Sequence, residues 1–177
     1  VSAFGTLPVQ PSCYGGTDGS VGVLGTAGNG GYSYLWDDGQ TTSIKMNVGA
    51  GEHYVTVTDA LGCSFETVEV LGQPTPVAVN VQAPNIPCGQ STGTATLTAS
   101  GGSGPYLYSI GTGTQSSGVF NNLTPGTYNY SVADNQNCDI TGSFTLTATG
   151  GPIAATAASG TITCANPQTQ VSGYGSA

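Results

Sequence analysis

The chain has 177 residues, of which 6% are charged; a single Lys stands against nine Asp and Glu, for a formal charge of −8. So few cations exclude nucleic acid and anionic membrane surfaces as partners, because both are bound through clustered Lys and Arg. No apolar run reaches the roughly 18 residues of a membrane-spanning helix, so membrane insertion is not expected, and no signal peptide opens the chain. Gly (29 residues), Thr and Val dominate, and no segment keeps a 3.6-residue apolar period, so the expected class is all-β.

In chain order, Val1–Gln10 reads as a first strand, with counterparts at Pro76–Gln82 and Pro152–Ser159. A loop holding Cys13 leads to a strand at Ser20–Leu24, and a loop holding Cys88 leads to one at Thr94–Thr98. Gly-rich punctuation at Gly28–Gly31 and Gly101–Gly104 precedes the aromatic strands Tyr32–Trp36 and Tyr106–Ile110. Short strands ending at Val48 and Leu123 follow.

The chain is organised around the stretch Leu123–Cys138 and its earlier twin Val48–Cys63. At an offset of 75, Gly51 meets Gly126, Val57 meets Val132, Asp59 meets Asp134 and Cys63 meets Cys138. A fixed period of this length marks a repeat architecture. His53, Val55 and Val57 share one parity, as do Tyr128, Tyr130 and Val132, which predicts half-buried strands. Asp59 and Asp134 can each accept amide hydrogen bonds from a following turn, and Gly62 and Asn137 suit a left-handed position within it. Antiparallel partners follow at Ser64–Val70 and Ile140–Thr147, so each copy closes as a hairpin of a β-sandwich. Tyr128 sits where immunoglobulin-like domains tie a tyrosine hydroxyl back to the preceding turn. His53 holds that position in the first copy; a metal ligand or acid–base group is the other reading, but no second His is present to join it.

Cys13 and Cys63 stand 50 residues apart, as do Cys88 and Cys138, while Cys164 has no matching partner. The matched spacing predicts one disulfide within each repeat, Cys13 to Cys63 and Cys88 to Cys138, and hence an oxidising, extracytoplasmic location; reduced, buried thiols are the alternative. Each such bridge would close about 50 residues and contribute roughly 4 kcal/mol in the chain-entropy picture. The Pro-containing links Gly72–Pro76 and Gly150–Pro152 divide the chain into repeats at 1–74 and 75–150 and the start of a third at 151–177. Short, proline-restricted links imply a semi-rigid thin rod of domains about 30 Å long. The partial third copy reads as a window on a longer array, or as a chain completed by a neighbour.

The order of Cys, Gly-rich loop, (Pro/Gly)-Tyr-x-Tyr-x-(Trp/Ile), Leu-x-x-Gly-x-Tyr, Val-x-Asp-x-x-x-Cys and then Gln-Pro resembles the SprB-type repeat of bacterial cell-surface gliding adhesins. The resemblance covers Cys13–Pro74 and Cys88–Pro152 and resumes at Cys164, with departures at His53, Ile110 and Asn137. It implies tandem immunoglobulin-like β-sandwich repeats of about 75 residues in large secreted, surface-anchored proteins. It further implies export by the type IX system and a role in gliding or attachment.

An enzyme needs a placed nucleophile, an acid–base pair or a metal cluster. One His, one Lys and paired cysteines leave only carboxylates, Asp18, Asp37, Asp38 and Glu52 among them, in no catalytic spacing, so no enzyme and no cofactor are expected. The expected function is a structural repeat of a long extracellular filament, with neighbouring repeats as partners. The alternative is an adhesin module that stacks a surface polysaccharide on Tyr32, Tyr34 and Trp36, unless those three alternate residues form core. Asp37 and Asp38 are candidate calcium ligands, with turn capping as the competing role.

Overall fold

The computed structural model describes residues 1–149, so the expected third copy at 151–177 lies outside the described residues. The described chain is all-β. Its first sandwich comprises β1 (Ser2–Gly5), β2 (Gly19–Thr26), β3 (Ser33–Trp36), β4 (Ile44–Val48), β5 (Gly51–Thr58) and β6 (Ser64–Leu71). The sheet β1-β2-β4 packs on the sheet β3-β5-β6. The second comprises β7 (Ala78–Gln82), β8 (Gly93–Ser100), β9 (Leu107–Ser109), β10 (Thr114–Gln115), β11 (Val119–Leu123), β12 (Gly126–Ala133) and β13 (Asp139–Leu146). There β11-β8-β7 faces β10-β9-β12-β13; the two-residue β10 is an addition the sequence pattern did not announce. Among the described residues no helix is long and apolar enough to cross a membrane.

Each sandwich closes over its own core, because alternate residues of each strand point to one face. Val21 and Val23 of β2, Val55 and Val57 of β5, with Val48, Leu71 and Trp36, fill the first. Ala95, Leu97, Leu123, Val132, Phe144 and Leu146 are prominent in the second. The central hairpins pair as expected, Val57 opposite Phe65 and Val132 opposite Ile140.

The chain does not hold a single strand through Val1–Gln10. β1 ends at Gly5, and only an isolated bridge from Val9 to Ser20 follows. Pro8 has no amide hydrogen to give a ladder, which breaks the strand there. In the second copy the chain leaves β7 and crosses to the opposite sheet. Ile86 N donates to Thr147 O (2.8 Å) and Thr149 N donates to Ile86 O (3.0 Å), with the Ile86 side chain fully buried.

β4 and β11 show how the backbone, rather than alternation, aims side chains. Positions 45 and 48, like 120 and 123, lie three apart and should face opposite ways, yet both are buried in each copy. Asn47 (φ 57°) and Asn122 (φ 58°) take the left-handed conformation between them, where Asn is tolerated better than most residues. The extra residue forms a bulge that turns both neighbours inward.

Candidate functional site

The turn at one end of each sandwich holds the most elaborate local chemistry. In the first sandwich that turn joins β5 to β6. Asp59 is buried; its Oδ1 accepts from Leu61 N and Cys63 N (both 3.0 Å), and its Oδ2 from Asn29 N (3.1 Å). Asp134 repeats the arrangement, accepting from Gln136 N (2.8 Å), Cys138 N (2.9 Å) and Ser103 N (2.8 Å). Each carboxylate therefore ties its own hairpin turn to the Gly-rich loop of the facing sheet. The Asn29 amide, with those of Cys63 and Leu61, holds the Asp59 carboxyl below its ordinary pKa. For Asp134 burial is the largest single effect and pushes upward, but three amide donors together outweigh it and the net shift is downward. Gly62 (φ 83°) and Asn137 (φ 62°) take the expected left-handed position just before each cysteine.

The disulfides expected within each repeat, Cys13 to Cys63 and Cys88 to Cys138, do not form. Cys13 is bonded to Cys138, across the repeats, with Cα atoms 5.5 Å apart and a sequence separation of 125. Cys63 is a free, exposed thiol, and Cys88 is itself disulfide-bonded. The reason is geometric. Cys13 lies in the loop before β2, whereas Cys63 lies in the turn beside the loop after β2, so the eight residues of that strand separate them. That is about 26 Å, against the roughly 4.4–6.8 Å a disulfide allows between Cα atoms.

The linker completes the junction. Gln73 Oε1 accepts from Gly15 N in the Cys13 loop (2.8 Å), and Thr75 O accepts from Gly102 N of the second sandwich (2.9 Å). Gly101 must lack a side chain here, because a Cβ would come within 2.1 Å of Pro76 O. The link is thus fastened to both neighbours and bypassed by a covalent bond. Clefts of ≈ 330 Å³ and ≈ 360 Å³ flank it, bounded by Tyr14, Ile140 and Gln136 among others.

The remaining sequence candidates fall into structural roles. Tyr32, Tyr34 and Trp36 do share one face, but that face is the core, which corrects the ligand-stacking expectation. Trp36 is 2% exposed with its indole N–H donated to Thr42 O (2.8 Å). The Tyr32 hydroxyl accepts from Gly28 N (3.0 Å) and that of Tyr34 from Gly25 N (3.4 Å). Asp37 and Asp38, the candidate calcium ligands, both lie against the ammonium of Lys45. Asp37 accepts directly from Lys45 Nζ, and Asp38 Oδ2 lies 3.4 Å from it. Asp38 also accepts from Gln40 N (3.1 Å) and Gln40 Nε2 (2.9 Å). Among the described residues no group of three or more His, Cys, Asp or Glu is placed to bind a metal.

Lys45 itself was not singled out from sequence. It is 4% exposed, lies 5.7 Å from the Trp36 ring centroid and has His53 Nδ1 3.4 Å away. Laying Lys45 on Phe120 at the 75-residue offset would have flagged it as an inward position. His53 does take the place of the corner tyrosine. Its Nε2 donates to Gly49 O (3.0 Å), as the Tyr128 hydroxyl donates to Thr124 O (2.8 Å), and residues 49 and 124 are themselves equivalent.

Two segments of the chain, residues 6–41 and 80–115, match the SprB repeat model. Each match runs from before the loop cysteine to the end of the aromatic strand region. No curated protein matches the chain. Among solved structures, three N-terminal domains of the highly immunogenic outer capsid protein (Hoc) of bacteriophage RB49 are similar, with 18% identity and a TM-score of 0.50. That match covers 84% of this chain and 58% of the phage chain. A C-terminal fragment of intimin, in complex with the intimin-binding domain of its translocated receptor, is 15% identical over 83% of this chain and 64% of that one, with a TM-score of 0.42. Fibronectin(III)-like modules of Clostridium thermocellum CbhA are 13% identical, covering 83% of this chain and 94% of theirs, with a TM-score of 0.34. At 18% identity the likeness to the phage domains is one of fold, and the chain spans under two thirds of the first two structures.

Proposed function

We propose, from the premise that this chain carries two SprB repeats at residues 6–41 and 80–115, that it is a non-enzymatic structural segment of a long extracellular filament or adhesin that serves gliding or surface attachment. The repeat bounds we assign are 1–74 and 75–150. The observation that carries the reading is the junction: a cross-repeat disulfide and a linker hydrogen-bonded on both sides.

Such a junction suits a load-bearing rod. When force is applied to the two ends of the chain, the covalent path runs through the Cys13–Cys138 bond, and the residues between them carry none of it. The disulfide also fits an oxidising compartment outside the cytoplasm. The neighbouring repeat is the partner this arrangement serves; the aromatic row that could have stacked a sugar is occupied in the core.

The test uses intact cells of the source bacterium. Antibody raised against the 177-residue chain should label the surface, and surface-applied protease should remove the label. Deleting these repeats from the parent gene should impair attachment or gliding. Labelling seen only after cells are opened would sink the reading.

A further inference from the structure

We infer that Cys63 is the attachment point of a second cross-repeat disulfide, made to the loop cysteine of a further repeat of the same kind stacked on the end of the first sandwich where β1 begins. The inference rests on the reading of the chain as part of an extracytoplasmic array and adds the chemistry that would join its units.

The second repeat supplies the comparison. Cys138 follows a left-handed residue, gives its amide to a buried Asp and is bonded to the loop cysteine of the repeat before it. Cys63 follows a left-handed residue and gives its amide to a buried Asp in the same way, yet its thiol is free and exposed. The backbone that presents the two sulfurs is one structure in two copies; only one of them has its partner.

A second observation comes from what surrounds each cysteine. Gln136 and Ile140 line the clefts beneath the Cys13 loop and the linker. Their equivalents beside Cys63 are Leu61, 73% exposed, and Phe65, 39% exposed. An apolar pair therefore stands exposed at positions where, in the second sandwich, Ile140 is half-buried beside the linker and the polar Gln136 stays exposed. The chain also enters the two sandwiches alike: β1 starts against Thr26 and β7 against Ser100, in each case beside the Gly-rich loop that the Asp carboxylate holds. A preceding unit joined by a link like Gly72–Pro76 would bring its loop to this end. Its cysteine would lie 125 residues before Cys63, the separation found between Cys13 and Cys138.

The bond forms by oxidation. Two thiols lose two protons and two electrons as their sulfurs join, and the disulfide of a protein dithiol oxidase takes these up and becomes a dithiol. Bonds at this spacing overlap along an array of 75-residue units. With both bonds in place, the shortest covalent path between them is the 50-residue run from Cys13 to Cys63, shorter than one 75-residue repeat.

The test is disulfide mapping of the native parent protein, with free thiols blocked before digestion and peptides analysed without reduction. The expected result is a Cys63 peptide joined to a loop-cysteine peptide from a repeat ahead of Val1, beside the Cys13–Cys138 pair. A blocked Cys63 beside an intact Cys13–Cys138 bond overturns this inference and leaves the extracellular reading standing. Cys63 joined to Cys13, or to another Cys63, also overturns it. If Cys13, Cys63 and Cys138 are all found blocked, the extracytoplasmic reading falls with it. A second measurement uses the chain extended by a copy of residues 1–75 ahead of Val1. There Cys63→Ser should leave the duplicated loop cysteine open to alkylation, and no gain in its alkylation overturns the inference.

Discussion

In the second sandwich, Phe120, Tyr128 and Phe144 fill one inner corner, with the Tyr128 and Phe144 rings stacked at 5.4 Å between centroids. In the first, the same three positions hold Lys45, His53 and Glu69, with His53 opposite Glu69 in the strand register as Tyr128 is opposite Phe144. An aromatic cluster occupies this backbone in one copy, and a Lys45–His53 contact beside the half-buried Glu69 occupies it in the other. What the copies share is what the backbone needs: the left-handed Asn of the bulge, the carbonyl that receives the corner donor and the Asp under the turn. The corner can be filled by dispersion or by charge, provided each filling is complete in itself.

The largest effect should come from mixing the two solutions. Phe120→Lys would bury an ammonium where Gly111 and Thr112 stand in place of Asp37 and Asp38. An unpaired buried charge of this kind costs roughly 4 kcal/mol. The reverse change, Lys45→Phe, leaves two carboxylates that are already about 40% exposed, at 39% and 41%, and free to hydrate. It should cost no more than about 1.5 kcal/mol. Urea denaturation of the two variants measures the difference, and equal losses would show that the corners are not alternative solutions.

Next in size is the buried aspartate. Asp134→Ala strips an acceptor from three amides and should destabilise the second sandwich by roughly 3 kcal/mol. Its pH signature follows from the lowered folded pKa. The unfolded chain binds the proton more readily, so the stabilisation is complete above about pH 4 and is lost as pH falls through the folded value. Glu69 has the opposite sign. Burial raises its pKa, so its folded state is favoured most at low pH, and that advantage is lost as pH rises through the raised value. Glu69→Gln should therefore flatten the first sandwich's loss of stability on the alkaline side of the carboxylate range. Thermal melts against pH separate the two, and an acid transition unchanged in Asp134→Asn would count against the cradle.

Much of this was legible because it repeats. The offset of 75 exposed the central hairpin, the Asp turns, the left-handed residues and the exchange of His53 for the corner tyrosine. The disulfide partner was not legible for the same reason. In a periodic chain, a spacing of 50 within each repeat is also a spacing of 125 across a junction, and only the placement of Cys13 and Cys63 at opposite ends of β2 separates the two. The inward turn of Lys45 was hidden because a bulge breaks the alternation from which facing is read. Trp36, Tyr32 and Tyr34 showed their shared parity, but parity does not say which face is core.

The smallest effect tests the closest likeness between the copies. If His53 and Tyr128 do one job, removing the polar atom while keeping a ring should cost the same in each. Tyr128→Phe leaves Thr124 O without its donor, and His53→Phe does so for Gly49 O. A single hydrogen bond of this kind is worth about 1 kcal/mol. The histidine has a second neighbour, because with Nε2 donating to Gly49, its Nδ1 is left to accept from Lys45 Nζ. A loss clearly larger in His53→Phe than in Tyr128→Phe, measured by urea denaturation, would place His53 within the ionic corner as well as at the turn. Equal losses would confine its role to the turn and leave Lys45 held by Asp37 and Asp38 alone.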